Sequence, residues 1–269
     1  MGLVPEKRIP TRRELADRWR DHQAVSAFER VFVAALRNME NLRELDVRDA
    51  SRRPPNVEWN CFPLIRKCRL PSLASLTFND MVLNRSYEPV PDVLPLIHDH
   101  PLLEYLELPE DYRNLPFLPN DITHLKSLNA TVTDARMILP GRPVRSLILN
   151  DLPSPLFSEA WRDLGSSEGP LLRVTLPFSR NPTNLISGLS AMGDHLKHLK
   201  SLVLSTVFFR MWEAVKVALS AFTQLQDLEI DIVYEYGCPE TDVWDNLEHV
   251  CTGLERFHIH RRTATLRFR

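Results

Sequence analysis

The sequence predicts an α/β solenoid, with a curved parallel sheet inside and helices outside, and three observations carry that expectation. A run of the form Leu-x-x-Leu-x-apolar returns nine times, starting at Leu42, Leu73, Leu103, Leu125, Val144, Leu171, Leu199, Leu225 and Leu254. The starts are separated by 31, 30, 22, 19, 27, 28, 26 and 29 residues. Recurrence at roughly 20–50 residues marks repeat architectures, in which each unit buries its apolar face only against its neighbours. The second observation is that composition does not produce the runs. The chain holds 41 Leu and is 43% apolar, from which chance gives roughly two or three strict matches; six are present. Of the 27 intervening positions, only five are apolar (Ala74, Tyr105, Ile148, Leu172, Val203), where composition gives about twelve. The third is that most runs follow a segment with helical periodicity.

The first unit sets the pattern. Phe28, Val31, Phe32, Ala35, Leu36 and Met39 recur at steps of three and four residues, the spacing of one helix face. Ser26 followed by Glu29 forms a capping box that starts the helix near Ala27. Asn41 ends it, and Leu42-Arg-Glu-Leu45-Asp-Val47 then takes the alternation of a strand. The same order returns with Leu185, Leu189, Met192 and Leu196 before Leu199, and with Met211, Trp212, Val215, Ala218, Leu219 and Phe222 before Leu225. It returns again with Val243, Trp244, Leu247, Val250 and Cys251 before Leu254, where Thr241 is the N-cap. The two short intervals around residues 103–144 predict turns or 3₁₀ pieces in place of helices. Residues 1–25 read as an N-terminal extension or cap, with an Arg- and Asp-rich helix over 11–22. Residues 26–262 form the solenoid of about nine irregular units. Residues 263–269 read as a C-terminal strand or tail, because Ala264 to Phe268 alternates.

On these leucine runs the chain resembles the leucine-rich repeat superfamily over roughly residues 26–262. Its helix-containing units of 26–31 residues look most like the irregular, F-box-associated leucine-rich proteins abundant in fungi. The resemblance implies repeats that select a protein for ubiquitination and an F-box that contacts a Skp1-like adaptor of a cullin ligase; Leu3-Val-Pro-Glu6 is a faint echo of an F-box opening. The Asn usual three positions past each run is absent from all nine copies, where Ala50, Met81, Asp111, Thr133, Leu152, Ser179, Val207, Val233 and Arg262 stand. No ladder of internal Asn side chains is therefore expected.

With the first, fourth and sixth run positions turned into a core, the third, fifth and seventh project from the inner face. That strip is charged towards its ends and small and polar in the middle. Its candidate partner-binding residues are Glu44, Asp46, Arg48, Tyr105, Glu107 and Arg173, then the acidic Asp227, Glu229 and Asp231 beside Arg256, His258 and His260. Thr131, Asn150 and Ser205 belong to the same strip. Opposite charges at one end would orient a protein partner.

No catalytic, cofactor or metal site is expected. No P-loop, dinucleotide-binding or zinc-protease motif occurs, and Gly188-Leu-Ser190-Ala-Met-Gly193 misses a nucleophile elbow by one residue inside a helical stripe. His98 and His100 lie at a helix end, His195 and His198 on one helix face, and His258 and His260 on one strand face. Two ligands fall short of the three or four a zinc site takes. A net charge of −2 gives no overall field for nucleic acid or membrane. Lys7-Arg8 and Arg12-Arg13 and the Arg-rich C-terminal end read as solvated charge. With no apolar stretch long enough to cross a membrane and no apolar leader, the expected location is cytoplasmic or nuclear. The four Cys (Cys61, Cys68, Cys238, Cys251) are expected to be reduced and partly buried. The expected function is a non-enzymatic protein–protein interaction scaffold. The alternatives are the ligase substrate-recognition role and, further off, an enzyme on an α/β scaffold.

Overall fold

The computed structural model describes residues 26–48, 65, 67–68, 70–79, 93–108, 121–152, 162–165, 167–177, 182–234, 251 and 253–263. Nine strands form one sheet: β1 (Glu44–Arg48), β2 (Ser75–Asn79), β3 (Tyr105–Glu107), β4 (Ser127–Ala130), β5 (Ser146–Leu149), β6 (Arg173–Leu176), β7 (Ser201–Phe208), β8 (Asp227–Tyr234) and β9 (Arg256–Thr263). Every neighbouring pair is parallel, and spatial order is sequence order from β1 to β9. Each strand belongs to one of the nine leucine runs. The registers align the runs position by position, so that Leu45, Leu76, Leu106, Leu128, Leu147, Val174, Leu202, Leu228 and Phe257 make one continuous row.

The helices are α1 (residues 26–37), α2 (Val93–His98), α3 (Val132–Ile138), α4 (Pro182–His195) and α5 (Trp212–Leu219), the last entered through a 3₁₀ turn at Phe209–Met211. Their apolar faces and the core rows of the sheet share a single hydrophobic cluster. Leu76, Leu106, Leu202 and Leu228, from four different units, are all buried in it. Burying a leucine side chain contributes about 2 kcal/mol, so the rows and helix stripes together are the main source of stability. The stripes before Leu199 and Leu225 are buried as their periodicity predicts, from Leu185 to Leu196 and from Met211 to Phe222.

Two backbone devices repeat around this core. At all eight strand junctions, one carbonyl accepts both the second and the third N–H of the next run. Arg43 O takes Ala74 N and Ser75 N, for example, and Lys200 O takes Gln226 N and Asp227 N, all four bonds being 2.8 Å. In seven units, the N–H of the run's first residue donates to a carbonyl three residues back, as Leu225 does to Phe222 at 3.3 Å. That earlier residue is usually apolar and buried: Leu70, Ile122, Leu196, Phe222 and Cys251. The repeat therefore begins three residues before its first leucine.

The two units that lack this bond are the fifth and sixth, where Gly141 and Glu168 hold the equivalent positions. Here Arg142, only 2% exposed, takes over. Its guanidinium donates to the carbonyls of Asp121 at 2.8 Å, Ile138 at 2.5 Å and Pro140 at 3.1 Å. Burial pulls its pKa down, against the opposing charge of Asp121. Gly141 has φ +70°, a left-handed conformation that glycine takes without steric cost.

Three expectations need correction. The 19-residue interval from Leu125 holds a true α-helix, α3, not a turn or 3₁₀ piece. Thr131 is the reason: its hydroxyl accepts the Asp134 N–H as the N-cap, and it donates to the Asp134 carboxylate at 2.6 Å. This also removes Thr131 from the inner face, since it is buried. Helix α1 is rotated from its predicted face. Phe32, Val33 and Leu36 meet the core, while Phe28, Val31 and Met39 are exposed, because a helix beside the first strand has fewer neighbours to pack against. His195 ends α4 and His198 lies in the following turn, so the two do not share a helix face. The helix over 11–22, the helix before Leu254 with Thr241, and residues 264–269 lie outside the described residues, as do Cys61 and Cys238. Cys68 and Cys251 are free and buried, and burial raises both thiol pKa values.

Candidate functional site

The sheet face opposite the core is built by strand alternation. Core positions in β4 through β8 are buried, and the residues between them are partly or fully exposed. Its first row runs Glu44, Ser75, Tyr105, Ser127, Ser146, Arg173, Ser201, Asp227, Arg256, in exact register. The second runs Asp46, Thr77, Glu107, Asn129, Ile148, Thr175, Val203, Glu229, His258. Apart from Arg173, the middle of both rows is therefore small or uncharged, and the other charges gather towards the two ends. Arg48 is the last residue of β1 and pairs with Asn79.

At the C-terminal end, β8 and β9 bring the predicted charges together. Asp227, Glu229 and Asp231 stand opposite Arg256, His258 and His260. Arg256 grips the Asp227 carboxylate with both Nε and Nη2, the latter at 2.7 Å, and this hydrogen bond pushes the guanidinium pKa higher still. His260 Nε2 lies 3.3 Å from Glu229 Oε1. Exposed pairs of this kind contribute little to stability, so their energetic effect is to fix side-chain direction. No group of three or more His, Cys, Asp or Glu suited to a metal occurs among the described residues. A register shift between Leu204 and Val207 bulges β7 and opens a hollow of about 350 Å³ lined by Val203, Ser205, Thr206, Glu229 and Asp231.

Nearer the N-terminal end, Tyr105 Oη donates to Glu107 Oε2 at 2.9 Å. Burial first, then this bond, pushes the phenol pKa up to about 12. Asn129 on the next strand has a shielded Oδ1 without a hydrogen-bond partner, and Asn150 Nδ2 donates to Leu108 O at 3.3 Å. Sequence reading picked out Tyr105 and Glu107 as candidates and placed Asn129 on the same strip without singling it out, since its polarity differs little from its neighbours; its register beside Glu107 distinguishes it.

His98, His100 and the near-elbow make contacts within the fold. His98 Nδ1 is 2.7 Å from Asp121 Oδ1, and buried His100 Nδ1 is 2.7 Å from Leu96 O. Ser190 lies mid-helix, its hydroxyl donating to Ile186 O at 3.0 Å. Gly193 is there because a Cβ would collide with Ala221. Among the described residues, no helix is long and apolar enough to cross a membrane. Leu3-Val-Pro-Glu6 lies outside the described residues. Comparison of the chain with family models and with curated proteins finds no match.

Proposed function

We propose that this chain is a leucine-rich-repeat solenoid acting as a non-enzymatic scaffold, which holds a protein partner against the inner face of its sheet. Helices are about 10 Å wide and strands are about 4.8 Å apart. Packing helices on a single side of the sheet therefore bends it, with its polar face concave. The observation that carries the reading is the pair of registered rows across nine strands, uncharged at the centre but for Arg173 and charged at the ends. Small side chains such as Ser127, Ser146 and Ser201 let a partner's backbone approach closely. The ion-paired Asp227, Glu229, Arg256 and His260 orient it, since charge patterns govern register and encounter more than raw affinity.

Affinity purification from the native host, followed by mass spectrometry, tests this. The account expects a reproducible protein partner whose recovery falls strongly when Asp227, Glu229 and Asp231 are all changed to Lys. Recovery equal to that of the unchanged chain would refute inner-face binding.

A further inference from the structure

A second charged strip runs along the edge where the strands begin and meets the inner face at Arg173. The second residue of each run stands there, one position before its strand. In the units of β4, β5 and β7 these residues are Lys126, Arg145 and Lys200, and Arg173 opens β6 between the last two. Strands step by about 4.8 Å, so the four cations span roughly 15 Å. All four are exposed. Lys126 is paired with Glu104 at 2.7 Å; Arg145, Arg173 and Lys200 have no carboxylate partner among the described residues. In a chain of net charge −2 this is a local accumulation.

Beside the strip lies a groove of about 500 Å³, lined by Leu172, His198, Lys200 and the turn at 167–170. That turn is anchored. Ser167 Oγ donates to Arg142 O at 2.7 Å and Val144 O at 3.1 Å, and Glu168 N donates to Arg142 O at 3.0 Å. Arg142 is itself buried and held by three carbonyls. The groove is thus formed before any ligand arrives, which lowers the ordering cost of binding. Among the described residues Glu168 is the one carboxylate lining it, outnumbered by the surrounding cations.

We propose that this leading edge is a docking site for an acidic, extended segment of a partner protein. Same-side residues of an extended chain recur about every 6.7 Å. Two or three carboxylates would therefore meet the flexible cations over the length of the strip, with the intervening side chains in the groove. Among the described residues no Phe, Tyr or Trp lines the groove, so successive bases would not find the row of stacking surfaces that single strands use, which favours peptide over single-stranded nucleic acid. The site shares Arg173 with the inner face, while Lys126, Arg145 and Lys200 stand one position before their strands, so it holds whether or not the Asp227 end of that face binds.

The test is fluorescence anisotropy on the full chain with a labelled peptide of about ten residues alternating Glu and Ser, and in parallel a labelled single-stranded oligonucleotide of equal length. The expected result is peptide binding that weakens with salt and falls at least about tenfold when Arg145, Arg173 and Lys200 are all changed to Glu. The Asp227→Lys, Glu229→Lys, Asp231→Lys variant should bind the peptide at least as well as the unchanged chain, which separates this site from the Asp227 end of the inner face. Should the triple reversal fail to fold, Arg173→Glu alone is expected to weaken binding several-fold. Absence of peptide binding, binding indifferent to the reversals, or tighter binding of the oligonucleotide than of the peptide would each overturn the proposal.

Discussion

The junction between β5 and β6 and the junction between β7 and β8 solve one problem with different chemistry. In each, the chain must return behind the sheet and re-enter it one strand further on. Between β7 and β8 the return is apolar: Trp212, Val215 and Leu219 fill the space behind the strands, and Phe222 receives the Leu225 N–H. Between β5 and β6 no apolar residue holds the equivalent place: Ser167 binds the carbonyls of Arg142 and Val144, and the Arg142 it rests on, just before β5, is itself buried against three carbonyls of the preceding connections. Both junctions keep the same two N–H groups on one carbonyl, Arg145 O in one and Lys200 O in the other. What the repeat conserves is backbone bonding and filled volume, not side-chain type.

The largest expected effect tests the apolar junction. Phe222→Ala removes a buried ring and leaves a cavity, lowering stability by about 4 kcal/mol in urea unfolding. Arg142→Met keeps much of the stem's volume but leaves three carbonyls without their donor, for a loss of about 3 kcal/mol. If Arg142→Met were neutral, the second junction would depend on volume alone, and the contrast would fail. Gly193→Ala drives a methyl into Ala221 between α4 and its neighbour and should cost about 2 kcal/mol; Ala221→Gly in the same chain should restore most of it. Thr131→Ala removes the cap of α3 and should cost about 1 kcal/mol, the shortest unit being as dependent on its cap as on its core.

Tyr105 offers a smaller test with a defined sign. Its phenol ionises at about 12 in the folded chain, against 10.0 as its ordinary value. Below pH 10 both folded and unfolded phenols are neutral, and the group's contribution is fully present. As pH rises from 10 through 12, the unfolded chain gives up its proton first and that contribution is lost. Ultraviolet titration should find one phenol with a midpoint near 12, and Glu107→Gln should lower it. An unchanged midpoint would mean that burial alone holds it.

The strands were legible because each leucine run states its own alternation, and stacking then leaves one register that buries every fourth-position residue. Helices α4 and α5 were legible because their stripes are long. Three things were not. The apolar residue three before each run does not stand out in a chain this rich in leucine, and three units have His100, Gly141 or Glu168 in its place. Arg142 looked like any surface arginine, since its role depends on carbonyls from three separate positions. The face of α1 was misread because Val31 and Val33 are equally apolar, and only the end of the stack decides which of them meets the core. The inner-face charges were legible once the strands were, as sheet register follows from the runs. The leading-edge cations were not, because Lys126, Arg145 and Lys200 lie far apart in sequence and none belongs to a charged cluster.

Amide hydrogen exchange tests the nine-strand arrangement most directly, since it needs no substitution and reads every junction together. The account predicts slow exchange for the second and third residues of the runs in β3 through β8, protected as one cooperative unit. Protection should be weaker at β9, which has one strand neighbour among the described residues. Exchange at unfolded-chain rates over 126–127 or 200–201, while other runs stay protected, would contradict a single continuous sheet.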